Sequence, residues 1–205
     1  MAKPSYWNKA KKYLSKKDKT LAKLISKYKG SLVSRDDAYY SLLKSIVGQQ
    51  ISVAAANSVW KKLEKKARKI RPLKISKLSK RQLSSCGLSR QKIEYIRIIT
   101  KKFIDKSICI KKLKQLNDEE AIKYLSTIKG VGKWTAEMFL FFNQLRPDIF
   151  PIQDIGLLRA ISIHYKTKYP PSSDQLNYFK RKWSPYCTVA TWYLWRSIDP
   201  VPVKY

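Results

Sequence analysis

The chain has 205 residues, 44% of them hydrophobic, enough for one domain or for two small lobes sharing an interface. Its 44 Lys and Arg against 14 Asp and Glu give a formal charge of +30, a self-repulsion that points to a polyanionic partner or to a lysine-rich proteome. Three widely spaced cysteines (Cys86, Cys109, Cys187) argue for a reducing cytosol and cannot form a four-cysteine iron–sulfur cluster, and the one histidine, His164, excludes a His-rich metal site or a Ser-His-Asp triad. No run approaches the roughly 18 apolar residues of a membrane helix, and MAKPSYWNKAKKYL lacks the apolar core of a signal peptide.

In chain order, Leu21, Leu24 and Ile25 predict a surface helix over Thr20 to Tyr28, with Gly30 as its cap. Ser34-Arg35-Asp36-Asp37 resembles a capping box opening Tyr39 to Gln50. Ser52 to Arg68 reads as a long helix broken at Arg71-Pro72. Gln82 to Cys86, Gly87, and a helix over Gln91 to Phe103 capped by Ser89 make a helix-turn-helix. Asn117 with Asp118, Glu119 and Glu120 starts a helix through Ala121, Ile122, Leu125 and Ile128.

A tight turn, Lys129-Gly130-Val131-Gly132, then leads into Trp134, Met138, Phe141 and Phe142, spaced i, i+4, i+7 and i+8 on one helical face. Pro147 and Pro151 end that helix, and Asp154 precedes the periodic run Leu157, Leu158, Ile161. In the tail, Trp183, Tyr186, Val189, Ala190 and Tyr193 fit one face of a helix that Pro200 and Pro202 close. Sustained period-two alternation is missing throughout, so the fold class expected is all-α.

The glycine turn has a physical use. Small residues let backbone approach a ligand, and the N–H groups of Gly132, Lys133 and Trp134 open a helix, where they suit a phosphate. Lys129 and Lys133 add charge beside them. A plain helix pair with a glycine cap is the competing reading of the turn. An N-cap for Ile155 to Tyr165 is the competing reading of Asp154.

The combination of glycine hairpin, Pro-bounded loop and Asp154 resembles the helix-hairpin-helix superfamily of DNA glycosylases, and in particular the 3-methyladenine DNA glycosylase II (AlkA-type) family. The likeness covers about Tyr39 to Tyr205. It implies a two-lobed helical fold with residues 37–142 as a bundle carrying wedge and hairpin, residues 1–36 plus 143–205 as the second lobe, and the active site in the cleft between them. It implies Asp154 as catalytic carboxylate, with Trp134, Met138 and Trp195 lining the base pocket. Gln49 and Gln50 match the segment that enters the minor groove, Gln50 filling the hole left by an extruded base.

Lys129, Gly130, Val131, Gly132, Lys133 and Thr135 match the DNA-binding hairpin, and backbone carbonyls of Ser126, Ile128 and Gly130 match a Na+ or K+ site. No cofactor is otherwise required. The expected partner of the resemblance is double-stranded DNA containing damaged bases, met by a monomer, in the cytoplasm of a prokaryote or the nucleus of a eukaryote. Trp134 stands where bifunctional members carry a lysine nucleophile, Cys187 and Thr188 depart from the family's Arg and Ser, and Met138 stands where its best-known member has a pocket Tyr. A different lesion (hypoxanthine, uracil or oxidised guanine) or a non-catalytic DNA-binding role are the alternatives.

Overall fold

The computed structural model describes residues 3–34 and 36–199. These form thirteen helices, α1 Trp7–Lys17, α2 Lys19–Lys27, α3 Ala38–Gly48, α4 Val53–Ala67, α5 Pro72–Ile75, α6 Lys80–Ser84, α7 Arg90–Ile104, α8 Ile110–Leu113, α9 Asp118–Ser126, α10 Lys133–Phe142, α11 Ile155–Tyr165, α12 Ser173–Trp183 and α13 Cys187–Ile198. Among the described residues there is no strand, as the sequence pattern required. No described helix is long and apolar enough to cross a membrane.

Two compact units divide the described chain. The first takes residues 3–34 and 140–199, the second residues 36–139, and the boundary falls inside α10. In the first unit α13 packs against α1, α2, α11 and α12. Cys187 to Leu194 of α13 are buried without interruption, so this helix is apolar on all sides because it is a core element. Trp7 of α1 meets Trp192 edge to face at 5.2 Å and 87°. In the second unit α7 packs against α3, α5 and α6 around Leu42, Leu43, Ile46, Leu63 and Ile75.

Most helix starts follow from a side-chain oxygen at the N-cap. Ser89 accepts from Lys92 N–H, and Asn117 forms a full capping box with Glu120. Several expectations need correction. The cap of α3 is Asp37 alone, which accepts from Tyr40 N–H, while Ser34 Oγ donates to Asn143 O; Arg35 lies outside the described residues. Gln82 is the third residue of α6 and completes a capping box with Ser79, so that helix starts two residues early. Pro72 opens α5, a position where its missing N–H is no loss. The cap at the end of α2 is Tyr28, and Gly30 lies beyond it with φ +107°, facing Trp192. Helix α9 stops at Ser126, before Ile128. Trp183 and Tyr186 do not share a helix. Trp183 ends α12, Ser184-Pro185 intervene, and Tyr186 is the N-cap of α13. Pro200 and Pro202 lie outside the described residues.

One buried carboxylate ties the first unit together. Asp18 is 2% exposed. Its Oδ1 accepts from Thr20 N–H and Leu21 N–H, capping α2. Its Oδ2 accepts from Trp183 Nε1–H and Tyr165 O–H, each at 3.0 Å, and lies 3.0 Å from Lys182 Nζ. Burial pushes this carboxyl up, but the hydrogen bonds from Trp183, Leu21 and Lys182, with the Lys182 charge, together hold it below its ordinary value.

Candidate active site and nucleic-acid interface

The second unit holds the hairpin against the end of α3. The turn closes with Val131 N–H donating to Ile128 O at 2.9 Å, and α10 begins with Ala136 N–H donating to Gly132 O. Gly130 has φ +93°, and a Cβ there would fall inside the Tyr95 ring, so glycine is required twice over. Gly132 has open space on its Cβ side, and both it and Lys133 are exposed. That is where a phosphate could meet the backbone N–H groups that open a helix. Substitution at Gly130 would disturb the packing on Tyr95 as well, whereas Gly132 isolates the approach of a ligand.

The residues proposed from sequence to touch DNA divide into two groups. Gln50 is exposed with φ +55°, standing out at the tip of the turn after α3. Ile51 beside it is also exposed. Gln49 points the other way, its Nε2 donating to Gly130 O at 2.9 Å and Thr135 Oγ1 at 2.8 Å. Its amide therefore ties the loop after α3 to the hairpin. Val131 and Thr135 are buried and hold the turn in place. Lys129 is exposed but ion-paired with Glu94 at 2.6 Å. Trp134 is half-buried in the first turn of α10, and Met138, one turn further on, is 1% exposed.

Lys92 was not singled out by the sequence. Its Nζ donates to Val47 O at 2.8 Å and Gln49 O at 2.7 Å, placing a cation at the C-terminus of α3. Burial holds its pKa below the ordinary lysine value. Gln49 is thus fixed through its side chain by the hairpin and through its carbonyl by Lys92, immediately before Gln50. Lys92→Met keeps the aliphatic stem and loses both bonds, so it should cost about 1–2 kcal/mol of stability. It should also slow any reaction that needs Gln50 more than it weakens duplex binding, with Lys92→Arg restoring most of the rate. Equal losses of rate and binding, unrescued by Arg, would reduce Lys92 to a packing residue.

In the first unit, Asp154 follows a tight loop in which its own N–H donates to Pro151 O at 2.9 Å. It caps α11 by accepting from Leu157 N–H at 2.7 Å, and the same oxygen, Oδ1, accepts from Trp195 Nε1–H at 2.8 Å. Capping the helix also fixes the direction of this carboxylate. Trp195 is itself stacked on Phe142 at 5.8 Å and 7°, with Phe141 at 4.9 Å. Gly156 completes the arrangement. A Cβ there would lie 3.1 Å from Asp154 Oδ1 and 3.4 Å from the Trp195 ring, so a side chain would press on the hydrogen-bonded pair. Beside the carboxylate, Ile155 is 70% exposed.

Comparison with known proteins decides what this arrangement is. Residues 43–185 match the HhH-GPD superfamily base excision DNA repair protein family, a span that includes the loop after α3, the hairpin and Asp154. The chain belongs to that family. It is 29% identical to the alkylbase DNA glycosidase-like protein mag2 of Schizosaccharomyces pombe, over 96% of this chain and 96% of that protein. It is also 29% identical to a putative DNA-3-methyladenine glycosylase of Bacillus subtilis, over 88% of this chain and 66% of that protein. The solved structure of the S. pombe 3-methyladenine DNA glycosylase in complex with abasic DNA superposes with a TM-score of 0.83, at 25% identity, over 96% of this chain and all of that one. The AlkA-type likeness and the helical glycosylase fold read from the motifs are both borne out.

Cys187 and Thr188 of this HhH-GPD chain stand where α13 meets the loop before Asp154. Cys187 N–H donates to Asp148 Oδ1 at 3.0 Å, and Ser184 Oγ donates to Asp148 Oδ2 at 2.8 Å. Thr188 Oγ1 donates to Arg146 O and accepts from Ile149 N–H. Together they pin the loop over Arg146 to Ile149 to the start of α13, just ahead of Asp154. Burial, with the nearby Asp148 charge, pushes the Cys187 thiol well up, so it is an inert packing group. His164 sits in the last turn of α11 bonded to Ser197, and burial and the Lys27 charge hold its pKa down.

Proposed function

We propose that this protein excises alkylated purines of the 3-methyladenine and 7-methylguanine type from duplex DNA by hydrolysing the N-glycosidic bond. The observation that carries the reading is the Asp154 carboxylate, fixed at the N-terminus of α11 by Leu157 N–H and Trp195 Nε1–H. The names of its relatives support the substrate class.

The hairpin grips the backbone through the start of α10, and Gln50 fills the gap left by the extruded nucleotide, which costs a few kcal/mol of unstacking. Alkylation at a ring nitrogen leaves the purine cationic. When the bond to C1′ breaks, its electron pair goes to the base, which departs neutral and needs no general acid. The sugar becomes oxocarbenium-like. The Asp154 carboxylate stabilises that charge until water adds at C1′ and releases a proton. Aromatic faces at Trp134 and Trp195 suit a cationic base, each contact contributing about 0.5–2 kcal/mol.

The carbonyls of Ser126, Ile128 and Gly130 would hold a Na+ or K+ ion. Ile128 O and Gly130 O each accept one hydrogen bond and retain a second lone pair, which suits a hard monovalent cation. The reaction is monofunctional in this reading. A lyase step needs an amine at the place of Trp134, and Lys133, about 100° around the helix, is exposed instead.

Duplexes carrying one defined lesion each test the proposal. 3-Methyladenine and 7-methylguanine should be released faster than uracil or 8-oxoguanine, with no borohydride-trapped adduct. A neutral pyrimidine as best substrate would overturn the substrate class, and a trapped adduct lost in Lys133→Gln would overturn the monofunctional assignment.

A further inference from the structure

Helix α7 carries Arg90, Glu94 and Arg97 at i, i+4 and i+7, one continuous stripe. Helix α6 packs beside it and adds Lys80 and Arg81. These side chains line an open groove of about 670 Å³ whose floor includes the buried Ile93. All four cations are exposed. They face a single carboxylate, Glu94, and that carboxylate is engaged by Lys129 of the hairpin at 2.6 Å. The next residue, Tyr95, is the ring that lies against Gly130. Groove and hairpin therefore both abut α7 within the second unit.

We propose that this groove is a second backbone-binding site, holding phosphates of the same duplex beyond those gripped by the hairpin. The inference rests on the reading of duplex DNA as the ligand. Arg90 and Arg97 are two turns apart, about 10.5 Å along the helix, far enough for each to meet a separate phosphate. Guanidinium groups present planar forks that match phosphate oxygens. The cationic rim around the Ile93 floor suits the phosphate backbone, which carries charge at every step whatever the sequence. An acidic polypeptide would satisfy the charge, but continuity with the hairpin favours DNA.

The test is the salt dependence of binding to an undamaged duplex several turns long. Arg90→Gln combined with Arg97→Gln should lower the slope of log affinity against log salt by about 1.8, two phosphates at about 0.9 each. Lys12→Gln with Lys16→Gln on α1 removes the same charge from the first unit and should leave the slope as in wild type. Thermal unfolding of each variant checks the fold. An unchanged slope in the arginine variant, or equal falls in both variants, would overturn the groove. So would poly-glutamate binding that is lost in the arginine variant while its DNA slope stays at the wild-type value. A wild-type protein that neither binds duplex in a salt-dependent way nor releases any base would instead overturn the glycosylase reading itself.

Discussion

Asp154→Asn should slow base release by about 10²–10³-fold or more while leaving fold and duplex affinity near wild type. The bonds from Leu157 N–H and Trp195 Nε1–H both end on Oδ1. An asparagine that places its carbonyl oxygen there keeps both, so the cap of α11 and the Trp195 contact survive. What it loses is the negative charge that opposes the cationic sugar. Single-turnover release from a lesion-bearing duplex, with binding measured in parallel, separates the two roles. A rate within about threefold of wild type would leave Asp154 as a helix cap only.

Asp18→Ala should lower the melting temperature by about 10 °C. The variant leaves Trp183 Nε1–H and Tyr165 O–H buried without their acceptor, strands the partly buried Lys182 ammonium, and removes the cap of α2. Breaking such a buried charged network costs about 3–5 kcal/mol, and each kcal/mol shifts a chain of this size by about 2–4 °C. The same network sets a pH dependence. Because the folded carboxyl lies below its ordinary value, its stabilisation is complete above the ordinary carboxylate range and is lost as pH falls through the folded value. Wild type should therefore lose stability on acidification across that range faster than Asp18→Ala does. Matching melting temperatures, or parallel acid curves, would show that the Asp18 network is dispensable.

Much of the fold was legible because its signals are local. Ser52, Ser89, Asn117 and Asp154 each announce a helix through an oxygen that reaches only three residues onward. Among the helices that escaped, two had their patterns present. In α1, Trp7, Ala10 and Leu14 are buried at i, i+3 and i+7 among lysines, and in α12, Phe179 and Trp183 are buried behind the Ser172–Gln175 capping box. Their dense charge masks the narrow apolar stripe. The break at Ser184-Pro185 was missed for the opposite reason, since aromatics on both sides of it simulate one continuous face.

The site was legible at its motif residues and opaque in its supports. Glycines, Asp154 and the paired glutamines stand at fixed short spacings. The bond from Trp195 to Asp154 spans 41 residues, and Lys92 reaches carbonyls 43 and 45 residues away. A side chain bonded to a distant backbone oxygen leaves no trace in local sequence, because every residue offers the same carbonyl. Glu94 shows the same limit in reverse. The hairpin lysine Lys129 reads as a free phosphate ligand until the fold brings a carboxylate 35 residues away against it.

The most direct measurement of the central claim is the appearance of free 7-methylguanine from a duplex holding that one lesion, followed by mass spectrometry with excess wild-type protein. The account predicts release of the intact methylated base, a product strand that stays whole until mild alkali cleaves it at the abasic site, and release at least about 10²-fold slower with Asp154→Asn. Tight binding of the same duplex by wild type, with no free base from it or from a 3-methyladenine duplex, would contradict the account.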